Sequence, residues 1–197
     1  KGITKMRLIK HPLYLLFIFV LLNLIILACI EKKQFRFTGK TMGTSYSVII
    51  ADTIVDSRVL DVTKEKVNDV LVKINKQMSI WDPESEIALF NKKTDKQPMT
   101  ISSDFIKVLK MAEYIYLESE GAFDPTVGPL VNLWGFGKEG SRFSPPSDEE
   151  VEKCRKYVGF DLIDIINNTQ ITKKHTKTQL DLSAIAKGFG VDMVADL

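Results

Sequence analysis

Between Lys10 and Glu31 the chain carries no Lys, Arg, Asp or Glu, and from Leu13 to Ala28 it is almost wholly apolar, ending on Cys29. A run like this cannot share a surface with the charged residues that follow, so it divides the chain before any other feature is weighed. Arg7 and Lys10 stand in front of it and the small residue Ala28 behind it, which is the layout of a secretory signal. Ile26-Leu27-Ala28-Cys29 resembles a lipobox, in which the Cys becomes acylated after cleavage. A plain membrane anchor is the other reading, because the run is near the lower length limit for a span. The expected organisation is therefore a signal peptide over 1–28, a lipid-anchored linker over 29–38 with lipid on Cys29, and a domain over 39–197. This places the protein on the extracytoplasmic (periplasmic) side of the cell membrane. Residue 1 is Lys, so Met6 is the expected start of translation.

The charge balance follows the same division. Four of the 27 basic residues and none of the 25 acidic ones fall in 1–28, so the remainder is slightly acidic at −2. Nothing in that balance suggests a nucleic-acid partner. If Cys29 carries lipid, Cys154 stands alone and there is no disulfide framework. The domain must then be held by its core.

The alternating stretch "FRFTGKTMGTSYSVII" reads as one or two strands around Gly43. Val67, Val70, Leu71, Ile74 and Met78 recur at helical steps, predicting a helix from about Thr63 to Ile80. Shorter signals predict a helix over Ser85–Asn91 and a long one from Ser102 to near Gly121. A capping box at Ser147–Glu150 opens a helix to Tyr157. Strand-like segments over Asp161–Ile166, Gln170–Thr172 and Thr178–Leu182 precede a last helix from Ser183. There is no strict βα alternation, so the expected class is α+β. The apolar helix running to Leu197 without a cap suggests that further chain follows.

Two nucleotide motifs present themselves and fail. Gly135-Phe136-Gly137-Lys138-Glu139-Gly140 has the spacing of a dinucleotide fingerprint, which requires a strand before it and a helix after it. Pro145 and Pro146 follow instead. Gly39-Lys40-Thr41 lacks the first glycine of a P-loop, because Gln34 stands at that position. Trp134, Gly135 and Phe136 read as packing and turn residues. Asp124 and Thr126, around Pro125, read as caps of the next helix, or as residues beside free amides that would take a phosphate or ribose. Asp181, Ser183 and Lys187, with Gly188 and Gly190, admit the same two readings.

The pattern is more specific when four stretches are taken together. Lys40 to Tyr46, Met78 to Ile87 with Phe90-Asn91, Gly121 to Thr126, and Asp181 to Asp192 stand in an order that resembles the ApbE family of FAD:protein FMN transferases. The resemblance covers 39–197, roughly the N-terminal half of a member. It implies an ApbE-like (T-fold-like) domain truncated at its C-terminal half. It further implies that Met42 contacts the flavin, Trp81 stacks on it, Ala122, Phe123 and Asp124 line the FAD site, and Asp181 and Lys187 contact FAD. Ala184 matches a position that gives a ligand to Mg²⁺, and with Ala only its backbone carbonyl would do so. The family's other metal ligands, an Asp and usually a Thr, lie in the half not represented.

By the same resemblance the reaction cleaves FAD, transfers FMN to a Thr of a target flavoprotein and releases AMP. Its catalytic base is not assigned by these residues. The alternatives are a membrane-anchored lipoprotein that binds or hydrolyses FAD without transfer, and a structural lipoprotein with a vestigial pocket. Asp124, Asp181 and Lys187 together disfavour the last.

Overall fold

The computed structural model describes residues 16–22, 33–52, 56–138 and 140–197. Cys29 and the expected lipid site lie outside them. Residues 16–22 are helical, and among the described residues no helix is long and apolar enough to cross a membrane.

Strands β1 (Lys33–Thr41) and β2 (Thr44–Asp52) form an antiparallel hairpin closed between Thr41 and Thr44. Met42 and Gly43 fill the turn at φ 49° and 69°, the left-handed pair that a two-residue hairpin requires. β1 begins at Lys33, inside the stretch expected to be linker. The reason is period-two alternation, with Phe35 and Phe37 half-buried between exposed Arg36 and Thr38.

Helix α1 runs from Ser57 to Met78 and begins well before Thr63. Its cap is Asp56, whose carboxylate accepts the Arg58 amide at 3.0 Å. Thr63 instead donates its hydroxyl to Val59 O at 2.8 Å, a mid-helix bond. Val59 and Val62 in the first turns are exposed, and the buried stripe begins only at Val67, so the apolar period does not mark the start of the helix. Helix α2 (Glu86–Lys92), strand β3 (Met99–Thr100) and helix α3 (Ser103–Glu118) follow, the helices capped by Ser85 and Ser102. Helix α4 covers Gly128–Leu133 and α5 covers Asp148–Arg155, the latter opened by the expected Ser147–Glu150 box. After a 3-10 turn, β4 (Ile163–Ile166) and β5 (Gln170–Lys173) lead to α6 (Ser183–Ala195). Asp196 caps α6 through amide bonds to Asp192 O and Val194 O.

β3, β5 and β4 form an antiparallel sheet in that order. One core joins it to the helices: Ile74 and Met78 of α1, Phe105 and Leu109 of α3, Phe189 of α6, and Ile163 and Ile171 of the sheet. The class is α+β, as expected. Two-residue β3 was not legible beforehand. Among the described residues the segment over Thr178–Leu182 joins no sheet and makes an isolated parallel bridge between Val127 and Gln179. Its alternation comes from burying Leu180 and Leu182 completely, while its polar backbone groups bond to a side chain and a loop.

Candidate functional site

Trp81 sits on the short loop between α1 and α2, and it is 65% exposed although the loop around it is firmly held. Buried Ser85 donates its hydroxyl to Ser79 O at 2.6 Å and accepts the Ala88 amide at 3.1 Å, so one side chain both closes the loop and caps α2. Asp82 accepts the Glu84 amide at 3.0 Å and pairs with Lys76 at 2.9 Å. The Lys76 hydrogen bond holds the Asp82 carboxyl below its ordinary range. A large aromatic on a rigid, open loop is a platform for stacking.

Met42 reaches the same place from the hairpin. Asn75 of α1 donates to Thr41 Oγ1 at 2.8 Å and to Leu71 O at 2.9 Å, tying the turn to the helix. Met42 packs against the core, and the side of Gly190 on α6 faces Met42, Ile74 and Leu71 at ordinary contact distance.

The two glycine-rich stretches meet. Gly121-Ala122-Phe123 closes α3: Gly121 N donates to Tyr116 O at 2.9 Å with Glu120 and Gly121 in the left-handed region, as in a Schellman stop. Asp124 does not cap α4, whose first turn follows Val127 with no side-chain cap. Its Oδ1 accepts the Thr126 amide at 2.8 Å and the Thr126 hydroxyl at 2.6 Å. Fully buried Thr126 accepts the Gly159 amide at 2.7 Å. Asp181 N donates to Pro125 O at 2.7 Å, and Asn132 Nδ2 donates to Gln179 Oε1 at 2.9 Å. A Cβ on Gly128 would stand 3.0 Å from Gln179 O, a tight contact that the absence of a side chain relieves. Asp181 Oδ1 accepts the Ser183 amide at 2.8 Å, anchoring the start of α6, although Leu182 is the capping residue.

Two cavities open between these parts. One, of about 240 Å³, is walled by Met42, Asn75, Ile80, Trp81, Ser183 and Lys187, among others. The second, of about 230 Å³, is walled by Ile80, Asn91, Asn132, Lys138, Gln179 and Asp181, with Lys92 and Gly128. Each is smaller than an ordinary ligand cleft of roughly 300–1,000 Å³. Sharing Ile80 as a wall, they form neighbouring compartments, one aromatic and sulfur-lined, the other polar with lysines at its edge.

Met42, Trp81, Asp181 and Lys187 are thus brought to these cavities. Ala122, Phe123 and Asp124 wall neither, and serve instead in the α3 stop and the Thr126 network. Lys187 donates to Ser183 O at 3.0 Å across one turn of α6. Asn75, Asn132, Lys138 and Gln179 line the site unheralded. An Asn inside the apolar period of α1 was the available signal for the first. Of the glycine triplet, Gly135 is a turn at φ 80°, and Gly137 lies where any Cβ would collide with Asn132. Phe136 is 77% exposed, so the expected packing role does not hold for it.

A divalent cation would need several hard oxygens. Ala184, exposed in the first turn of α6, offers only its carbonyl, and the described residues contain no cluster of three His, Cys, Asp or Glu placed to hold a metal. These residues alone therefore do not assemble the donor set.

The chain is 41% identical over 180 residues to the FAD:protein FMN transferase of Vibrio cholerae, covering 89% of this chain and 53% of that one. It is 40% identical to the protein of the same name from Haemophilus influenzae, covering 84% and 49%. Among solved structures, the flavin transferase ApbE from Vibrio cholerae superposes with a TM-score of 0.78 at 39% identity, over 84% of this chain and 53% of that one. The apo flavinyl transferase ApbE of Pseudomonas stutzeri gives 0.77 at 31% identity, over 84% and 55%. The chain spans about half the length of the relatives it matches. Residues 42–197, which include the hairpin turn, the Trp81 loop and both cavity walls, match the model of the ApbE family, and the chain belongs to that family.

Proposed function

We propose that the protein of which this chain is part is an FAD:protein FMN transferase, an enzyme that moves FMN from FAD onto a Thr of a target flavoprotein. The observation that carries this reading is the pair of cavities sharing Ile80. The flavin ring suits the compartment with Trp81 and Met42, where an aromatic face and a polarisable sulfur offer stacking. The phosphates and ribose suit the polar compartment, where Asp181 would accept from a hydroxyl and Lys138 and Lys92 would face negative charge. Lys187, one turn into α6, walls the first compartment, where its ammonium would face the ligand's negative charge.

In the transfer, the acceptor Thr oxygen forms a bond to the phosphorus on the FMN side. The pyrophosphate P–O bond breaks, AMP leaves with the electron pair, and the hydroxyl proton passes to a base that these residues do not identify. Phosphoryl transfer depends mostly on positioning and charge neutralisation; Asp181 would help with the first, and Lys187 and Lys138 would supply the second. Mg²⁺, when bound, would neutralise charge on the pyrophosphate. Ala184 O is the one group of this chain assigned to it. Attachment to the outer face of the cell membrane through lipid on Cys29 belongs to the same proposal and rests on residues 7–29 alone.

The test incubates the intact protein with FAD, Mg²⁺ and an acceptor protein bearing the Thr, then follows flavin fluorescence on denaturing gels. Covalent FMN on the acceptor, lost on chelation, is the expected result. FAD binding without covalent transfer would instead identify a flavin-binding or FAD-hydrolysing lipoprotein.

A further inference from the structure

Lys173, at the end of β5, is only 1% exposed, a degree of burial that lysines rarely reach without an ionic partner. Its ammonium forms no ion pair among the described residues. It donates to Asn91 O at 3.1 Å and to Thr178 O at 3.2 Å, and it lies 5.2 Å from the centre of the Phe90 ring. Neutral acceptors compensate a buried charge poorly, so the fold carries this group at a cost.

What the ammonium joins lies directly beneath the polar cavity. Asn91 is near the end of α2, and its carboxamide grips Leu180 twice: Nδ2 donates to Leu180 O and Leu180 N donates to Oδ1, both at 2.8 Å. Leu180 stands between Gln179 and Asp181, and these two, with Asn91 itself, wall that cavity. The cavity floor therefore hangs on one buried cation through two hydrogen-bond steps.

We infer that Lys173 is a positioning residue for the nucleotide site: its ammonium ties the end of α2 to the 178–182 segment, fixes the Asp181 wall, and sets a buried positive charge under a cavity that takes an anionic ligand. This rests on the proposed flavin-nucleotide function. An anion binding near a buried cation raises the cation's affinity for its proton, so by linkage the ligand binds less tightly once the lysine loses it. The charges around Lys173 set the window. Burial first, and then Lys93, lower its pKa to about 8, while Asp95 opposes them. Other nearby charged groups are engaged elsewhere: Lys92 with Pro83 O, Asp164 with Lys174, and His175 and Lys177 against the Tyr157 ring. An ordinary lysine titrates near 10.4, well clear of this window.

The experiment is a fluorescence titration of FAD into the intact protein between pH 7 and 9, with Lys173→Met and Lys173→Arg compared and thermal unfolding recorded for each. The unaltered protein should lose affinity by about threefold to tenfold over that range. Lys173→Met should bind about tenfold more weakly at pH 7, with no pH slope and an undiminished melting temperature. Lys173→Arg, charged throughout, should also lose the slope. A merely structural lysine would move affinity and melting temperature together. Binding by Lys173→Met with the affinity and slope of the unaltered protein would overturn the inference alone, as would a flat profile in the unaltered protein. Absence of FAD binding by the unaltered protein would overturn the proposed function as well.

Discussion

The backbone amide of Asp181 donates to the carbonyl of Pro125 at 2.7 Å. Fifty-six positions apart in sequence, these residues bind the α3–α4 corner to the approach of α6. Through that bond, and the Val127–Gln179 bridge beside it, a cavity wall is assembled from two stretches that alone would be a turn and a helix start.

Gly128→Val should break this seam. The added carbons would enter space already held by Gln179 O and Cβ at 3.0 Å, and overpacking of this kind costs about 1–3 kcal/mol. Denaturant unfolding should show that loss, with weaker FAD binding. Unchanged stability and affinity would mean that α4 and the 178–182 segment move apart freely.

Thr126→Val keeps the shape and removes the hydroxyl. The buried Gly159 amide then loses its acceptor and Asp124 Oδ1 loses its shortest donor. Leaving a buried donor unsatisfied costs roughly 1–3 kcal/mol, readable as a lower denaturation midpoint. An unaltered midpoint would show that the network is not held in solution.

Stability should rise with pH between about 8 and 10.5. Lys173 holds its proton less tightly folded, with a pKa of about 8, than unfolded, with one near 10.5. In that window the unfolded chain binds more protons, so raising the pH favours the folded state, by up to about 3 kcal/mol. Lys173→Met should abolish this contribution. Denaturation of both proteins at pH 7 and pH 10 measures it, and equal pH dependence in the two would contradict it.

Much of this was legible beforehand. The Ser147–Glu150 box, the helix starts at Ser85 and Ser102 and the apolar period from Val67 to Met78 act within a few residues, and local rules reach them. Trp81 and Met42 were reached through motif resemblance, and the structure brings both to one cavity. Asp124 was read as a cap or ligand group, but its carboxylate is engaged by Thr126, two residues along. The Thr178–Leu182 alternation was read as a strand because buried Leu180 and Leu182 alternate whether or not a sheet partner exists. Lys173 carried no readable signal, and Asn91 entered only as part of a motif resemblance, with no role attached. Their roles come from contacts made across 82 positions of sequence, which no local period records.

Ser85→Ala should loosen the platform that presents Trp81. It removes the bond to Ser79 O and the cap of α2, and loss of such a cap costs about 0.5–2 kcal/mol. Unfolding should reveal that loss, with reduced quenching of bound flavin. Full quenching at unchanged stability would show that the loop holds without Ser85.

The placement of the flavin over Trp81 is tested most directly by titrating FAD into the intact protein and into Trp81→Ala, recording flavin fluorescence and affinity. Trp81 is largely exposed, so its removal should leave the fold intact. Stacking is worth on the order of 1 kcal/mol, so affinity should fall about fivefold. Quenching of the bound flavin should be largely lost. Equal affinity and equal quenching in the two proteins would contradict a flavin seated between Trp81 and Met42.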